Sequence, residues 1–244
     1  MTAAEQKEAL RIWKEHCISV QNQTTVNRTE TRTQQLARIE RARKDYDFFV
    51  EYYFPHYCTD KDTGIVIPNA KFHNKAANKL KDNKDIQAAF IWARGHAKST
   101  HVDIMIPLWL KCQKVRELNV MVLVGKSQDA ANTLLSDVQA ELQYNQRYIN
   151  DFGKQFSAGS WTAGEFVTAD DCAFFARGRG QSPRGLRYKE NRPDYIAIDD
   201  LDDDELVENE ARVKNMVDWV KEALFGAFGP KGGRFVNFNS IGFN

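Results

Sequence analysis

The run Ile86-Gln87-Ala88-Ala89-Phe90-Ile91-Trp92-Ala93-Arg94-Gly95-His96-Ala97-Lys98-Ser99-Thr100 decides how this chain is read. Ile86 to Trp92 is a short apolar run, the mark of a buried strand. A helical pattern opens at Lys98. A strand–loop–helix unit aims backbone N–H groups and a helix dipole at one point, which suits phosphate. In that frame Lys98 reaches the β- and γ-phosphates, the Ser99 hydroxyl ligates Mg²⁺, and Thr100 belongs to the first helical turn. Arg94, Gly95, His96 and Ala97 line the same loop, and the Arg94 guanidinium reaches the γ-phosphate from within it. The stretch departs from GxxxxGK[ST] at two places. Ala97 stands where glycine precedes the lysine, and Ile91 holds the first glycine position. Taken alone, the letters also fit a helix N-terminus that happens to carry Lys-Ser-Thr.

The flanking sequence supplies the context. Lys98 to Cys112 reads as a helix that Pro107 should kink or shorten. Leu118 to Val124 is a second strand, Gln128 to Leu142 a helix, and Phe166 to Ala176 hairpin material. Tyr195 to Ile198 is a third core strand, Glu205 to Phe225 a helix, and Arg234 to Asn239 a last strand. Strands alternating with helices predict an α/β fold with a mostly parallel central sheet flanked by helices. Gly125-Lys126-Ser127 also follows a strand and precedes a helix, but Val120 and its successors are needed for the strand. No loop is left to wrap a phosphate, so a strand-to-helix turn with Ser127 as N-cap is expected there.

Residues 1–45 are polar, with sparse apolar positions such as Leu10, Trp13, Leu36 and Ile39, and read as a helical extension. Gln21 to Gln35 within it suits a linker or a weak helix. An aromatic cluster starting at Tyr46 should pack onto the main domain, which runs over 46–244.

Tyr195-Ile196-Ala197-Ile198-Asp199-Asp200 is an apolar strand ending in two acids. Open α/β sheets bind ligands at the carboxyl ends of their strands, so Lys98 and Asp199 should share one crevice. Asp199 is placed to hold Mg²⁺ and Asp200 to polarise an attacking water. Asp202, Asp203, Asp204 and Glu205 suit a helix N-terminus, with Glu205 a secondary candidate base. Just upstream, Arg177, Arg179, Arg184, Arg187, Lys189 and Arg192 face only Glu190 in sequence. That loop could contact DNA phosphates, lend Arg184 as an arginine finger to a neighbouring subunit, or pair with the adjacent acids.

The bulk composition is that of an ordinary folded domain. The 244 residues carry a formal net charge of +1, so no global basic field announces a polyanionic partner. The four cysteines, Cys17, Cys58, Cys112 and Cys172, form no CxxC pair and predict neither disulfides nor a zinc site. The N-terminus lacks the apolar segment of a signal peptide, and no run approaches the ~20 apolar residues of a membrane span.

With these pieces together, the chain resembles the N-terminal ATPase domain of tailed-phage large terminases. The resemblance covers about residues 46–244. It rests on Ala93-Arg94-Gly95-His96-Ala97-Lys98-Ser99, on Gly180-Gln181-Ser182-Pro183-Arg184-Gly185-Leu186-Arg187, and on Ile196-Ala197-Ile198-Asp199-Asp200. It implies a P-loop NTPase fold of the RecA-like, ASCE class that hydrolyses ATP with Mg²⁺ to drive double-stranded DNA into a procapsid. It also implies portal protein and small terminase subunit as partners, a homo-oligomeric ring in the assembly with a monomer outside it, and action in the host cytoplasm. In that family an adenine-contact segment precedes the phosphate loop. Pro68-Asn69-Ala70-Lys71-Phe72-His73 falls there, with Phe72 as the base contact or simply a buried aromatic, and with His73 where glutamine is common. A coupling motif at the end of the strand after the acids maps to Asn239 or Ser240. Asp200 stands where the family's catalytic residue is usually glutamate. The C-terminal nuclease domain of full terminases is not expected in this sequence. A superfamily-2-like helicase lobe and a non-catalytic nucleotide-binding module are the competing readings.

Overall fold

The computed structural model describes residues 3–60, 62–199, 201 and 210–241. The chain forms a seven-stranded sheet with strand order β1-β7-β6-β2-β5-β4-β3. The strands are β1 (Ile86–Ala93), β2 (Val120–Gly125), β3 (Trp161–Thr162), β4 (Glu165–Val167), β5 (Ala173–Gly178), β6 (Tyr195–Asp199) and β7 (Arg234–Ile241). β1, β7, β6, β2 and β5 form one parallel run, and the antiparallel hairpin of β4 and β3 closes the edge, with β4 antiparallel to β5. The expected α/β class, with its mostly parallel sheet flanked by helices, is thus the observed one.

Side-chain alternation divides the sheet into two faces. Met121, Leu123, Phe174, Ala176, Tyr195, Ala197 and Val236 point into the larger core. That face is covered by α3 (Tyr46–Tyr53), α5 (Lys71–Asp82), α6 (Ile106–Lys111) and α7 (Gln128–Tyr144). Val122, Val124, Ile196, Ile198 and Phe235 point the other way, toward Leu224 and Ala227. The segment after β6 covers this second face: helix Glu210–Trp219, then a wide π-turn over Val220–Leu224. The chain leaving β1 therefore packs on one face and the chain leaving β6 on the other. Such a reversal opens a crevice at the carboxyl ends of the strands.

The helix after β1 shows how Pro107 is accommodated. Rather than a kink, Thr100–Met105 widens into a π-turn, in which the Ile106 N–H reaches back to the His101 carbonyl. Pro107 has no N–H to give. The Val102 carbonyl is left without a helical donor, and the buried Tyr195 hydroxyl supplies one at 2.9 Å. One proline thus ties this helix to the strand that ends in Asp199.

The N-terminal segment is less detached than its polarity suggests. Helix α1 (Ala3–Gln23) packs along α7, burying Cys17 and Val20. Helix α2 (Arg32–Lys44) is started by a Thr31/Gln34 capping box. Its Arg38 reaches Asp151, at 2.7 Å, in α8 (Gln146–Phe152). Among the described residues no helix is long and apolar enough to cross a membrane.

Candidate active site

Sheet register sets the geometry of the site. Phe238 of β7 pairs with Phe90 of β1 on one side and with Asp199 of β6 on the other. β1 and β6 are therefore two strand spacings apart, about 10 Å. The first turn of the helix after β1 spans that gap. Ser99 Oγ donates to Asp199 Oδ2 at 2.9 Å, and Lys98 Nζ lies 3.3 Å from Asp199 Oδ1. The side chains of Lys98 and Asp199 are each only 9% exposed. Three of the residues singled out in the sequence thus meet at one point, Ser99 and Asp199 from 100 positions apart.

The loop between them is built from left-handed residues. Gly95 has φ +86° and Ala97 φ +51°. Alternating hand along a turn can bring N–H groups to one side, and here the His96 N–H is donated to the Ala93 carbonyl at 3.3 Å. Helical geometry also leaves the first-turn N–H groups without intrahelical acceptors. Position 97 is where the motif calls for glycine, and the positive φ is the reason. An L-residue there carries ~1–2 kcal/mol of strain. Arg94, Gly95, His96 and Ala97 are exposed, and Thr100 is half-buried at the start of the π-turn.

Behind the loop stands a cluster of rings. Phe72 meets Trp92, His73 and His96 edge-on, at centroid distances of 5.1, 4.2 and 5.6 Å. His73 stacks on His101 at 3.9 Å, and His101 Nδ1 pairs with the Tyr46 hydroxyl at 2.9 Å. Burial lowers His73 and, with His73 adjacent, takes His101 down to about 3, so both rings are neutral near pH 7. His73 Nε2 donates to the His96 carbonyl at 3.0 Å, in the loop after β1. This contact was not read from the sequence. The available signal was a histidine at position 73 where the resemblance leads one to expect glutamine.

The arginine-rich loop is largely engaged within the chain. Arg184 Nε donates to the Glu222 carbonyl at 2.8 Å, on the helical segment covering the second face. Arg179 Nη1 donates to the Leu201 carbonyl at 2.9 Å, just past the acid strand. Lys189 pairs with Asp171 at 2.8 Å. Among the described residues Arg184 makes no contact with Lys98, Ser99 or Asp199. Asp200, Asp202, Asp203, Asp204 and Glu205 lie outside the described residues, as do the side chains of Asn239 and Ser240. The Gly125-Lys126-Ser127 turn behaves as a strand-to-helix junction, with Ser127 Oγ accepting the Ala130 N–H at 3.1 Å. The helix N-terminus packs so close that a Cβ at Gly125 would lie 2.9 Å from the Ala131 nitrogen.

A serine hydroxyl beside a carboxylate offers hard oxygen donors of the kind a divalent cation takes. Asp199 Oδ1 is buried and engaged by the Lys98 ammonium as an ion pair at 3.3 Å, so a cation there would have to displace Lys98 from it. No protein-family model matches the chain, and no curated protein matches it.

Proposed function

We propose that this chain is a Mg²⁺-dependent ATPase of the P-loop, RecA-like class, and that it serves as the motor domain of a tailed-phage large terminase. The observation that carries the ATPase reading is the convergence of Lys98 and Ser99 on Asp199. It occurs at the carboxyl end of a parallel sheet, beside a helix N-terminus and a loop of left-handed residues. The strand order, with β7 between β1 and β6, is compatible with a RecA-like sheet.

In this reading the loop N–H groups and the Lys98 ammonium bind the β- and γ-phosphates of ATP. The contact between Lys98 and Asp199 is a resting arrangement that the incoming phosphates reorganise. Ser99 Oγ and Asp199 would hold Mg²⁺, which would supply positive charge to the phosphoryl group. Asp200 orients the attacking water and accepts its proton. Arg94 lies in the loop itself and is the arginine able to stabilise the γ-phosphate in cis. Arg184 serves in trans once its bond to the Glu222 carbonyl is exchanged for a neighbouring subunit's phosphate. Phe72, on the ring cluster beside the loop, is the candidate base contact. The terminase assignment rests on the motif set described above. It carries with it duplex DNA, a portal and a small terminase subunit as partners, a ring assembly, and the host cytoplasm as the place of action.

The test is steady-state ATP hydrolysis with Mg²⁺, with and without duplex DNA, for wild type, Asp200→Asn and Arg184→Ala. The expected result is loss of turnover in Asp200→Asn. For a trans finger, the wild-type rate per subunit rises with protein concentration and Arg184→Ala abolishes that rise. Nucleotide binding without turnover under every condition would contradict the ATPase reading and favour a non-catalytic nucleotide-binding module.

A further inference from the structure

His73 occupies the first turn of α5 and is 8% exposed. Its ring makes two hydrogen bonds of opposite sense. Nδ1 accepts the Ala70 N–H at 3.1 Å, and Nε2 donates to the His96 carbonyl at 3.0 Å. One neutral tautomer, with its proton on Nε2, satisfies both. The ring is held flat against His101, 3.9 Å between centroids and 20° between planes, and Trp92 abuts it at 5.0 Å. The donor is thus fixed in position by its own packing and by the bond from Ala70.

Its acceptor lies at a sensitive place. The His96 carbonyl belongs to the peptide joining His96 to Ala97, between two residues of positive φ, Gly95 and Ala97. Gly95 adopts that conformation readily, whereas Ala97 resists it. A hydrogen bond that fixes the orientation of the peptide entering Ala97 opposes its escape to an ordinary backbone conformation. We propose that His73 is a positioning residue for the nucleotide site: it locks the phosphate loop in its left-handed form, offsets the alanine at position 97, and so sets nucleotide affinity without touching the reacting phosphate. The histidine at this position acts on the loop backbone rather than on the base. This inference rests on the reading of residues 93–100 as a phosphate loop.

The test compares wild type, His73→Gln, His73→Phe, and His73→Phe combined with Ala97→Gly. His73→Phe keeps the ring and removes the donor, while His73→Gln keeps a donor of similar reach. Two readouts are used: KM and kcat for Mg·ATP, and amide hydrogen exchange of residues 94–100 without nucleotide. The expected result is a KM about tenfold higher in His73→Phe, with kcat changed less than about threefold. Faster exchange should be confined to that loop, His73→Gln should stay close to wild type, and Ala97→Gly should recover most of the lost affinity. His73→Asn, too short to bridge to His96, takes the place of phenylalanine if that variant does not fold. Wild-type KM and loop exchange in the donor-less variants would overturn the proposal. Equal impairment of Gln and Phe with unchanged exchange would also overturn it, by reducing His73 to a packing residue. If wild type itself neither binds nor hydrolyses ATP, the functional reading fails, and the exchange experiment still decides whether His73 holds the loop.

Discussion

Ser99 Oγ donates a 2.9 Å hydrogen bond to Oδ2 of Asp199, joining the first turn of the helix after β1 to the end of β6, two strands away. Lys98 approaches the other oxygen of the same carboxylate at 3.3 Å. The candidate site is therefore joined by the chain's own side chains, and its charged members neutralise each other in a buried setting.

That arrangement predicts an asymmetric mutational response. Lys98→Ala leaves the Asp199 carboxylate buried without its cation and should destabilise the protein by ~3 kcal/mol. The double variant Lys98→Met with Asp199→Asn removes both charges at similar volume and should recover most of that loss while remaining unable to bind Mg·ATP. Urea denaturation of the single and double variants measures this. Equal destabilisation in the two would show that the pair is not coupled.

Ala97 is held at φ +51°. Ala97→Gly should relieve the backbone strain and, after the greater chain entropy glycine brings to the unfolded state, stabilise by up to ~1 kcal/mol. For a chain of this size that corresponds to a rise of about 2–4 °C in Tm. Differential scanning calorimetry reads it directly, and a fall in Tm would mean that the left-handed turn is not the resting conformation.

At Gly178 a Cβ would lie 2.6 Å from the Gln128 backbone nitrogen. Gly178→Ala must push the N-terminus of α7 off the sheet and should cost ~1–3 kcal/mol or more. Exposed Gly159, where an added Cβ meets nothing within 4 Å, is the comparison site for glycine removal without steric conflict, although its own φ of +87° adds strain. A smaller loss at 178 than at 159 would contradict the close approach of α7.

The stacked imidazoles give a pH dependence of known sign. Burial holds His101 at about 3, against an ordinary value near 6.5, and lowers His73 in the same direction. Between those values the unfolded chain binds a proton that the folded chain refuses, so stability falls as pH drops from 6.5. His101 alone should remove about 2 kcal/mol between pH 6.5 and 5. Urea midpoints at pH 7, 6 and 5 should decline in wild type and flatten in His101→Gln. That variant is also weaker at pH 7, having lost the ring that pairs with Tyr46. An unchanged slope in the variant would remove His101 as the cause.

Much of the sheet was legible because its strands are apolar runs bounded by polar turns, as in Leu118 to Val124 and Tyr195 to Ile198. The meeting of Lys98, Ser99 and Asp199 followed from the placement of loop and acids at strand ends. The π-turn was not legible. Pro107 announced an interruption, but a widened turn satisfied by Tyr195 depends on a residue 93 positions away. The engagement of Arg184 with Glu222 was likewise hidden, because charge runs do not name their partners and the acceptor is a backbone carbonyl. The bond from His73 to His96 escaped for the same reason, since a main-chain oxygen leaves no mark in the side-chain sequence. Helices α1 and α2 read as an exposed extension because, among the described side chains, one narrow stripe of each is buried, at Cys17 and Val20 and at Ile39 and Ala42.

The most direct test of the central claim is calorimetric titration of Mg·ATP into wild type and into the Lys98→Met, Asp199→Asn double variant, both shown to be folded. Saturable one-site binding by wild type that vanishes in the double variant, and that weakens in wild type when Mg²⁺ is chelated, is the predicted result. Binding of equal affinity in both proteins, or none in wild type, would contradict the assignment of residues 93–100 and Asp199 as a nucleotide site.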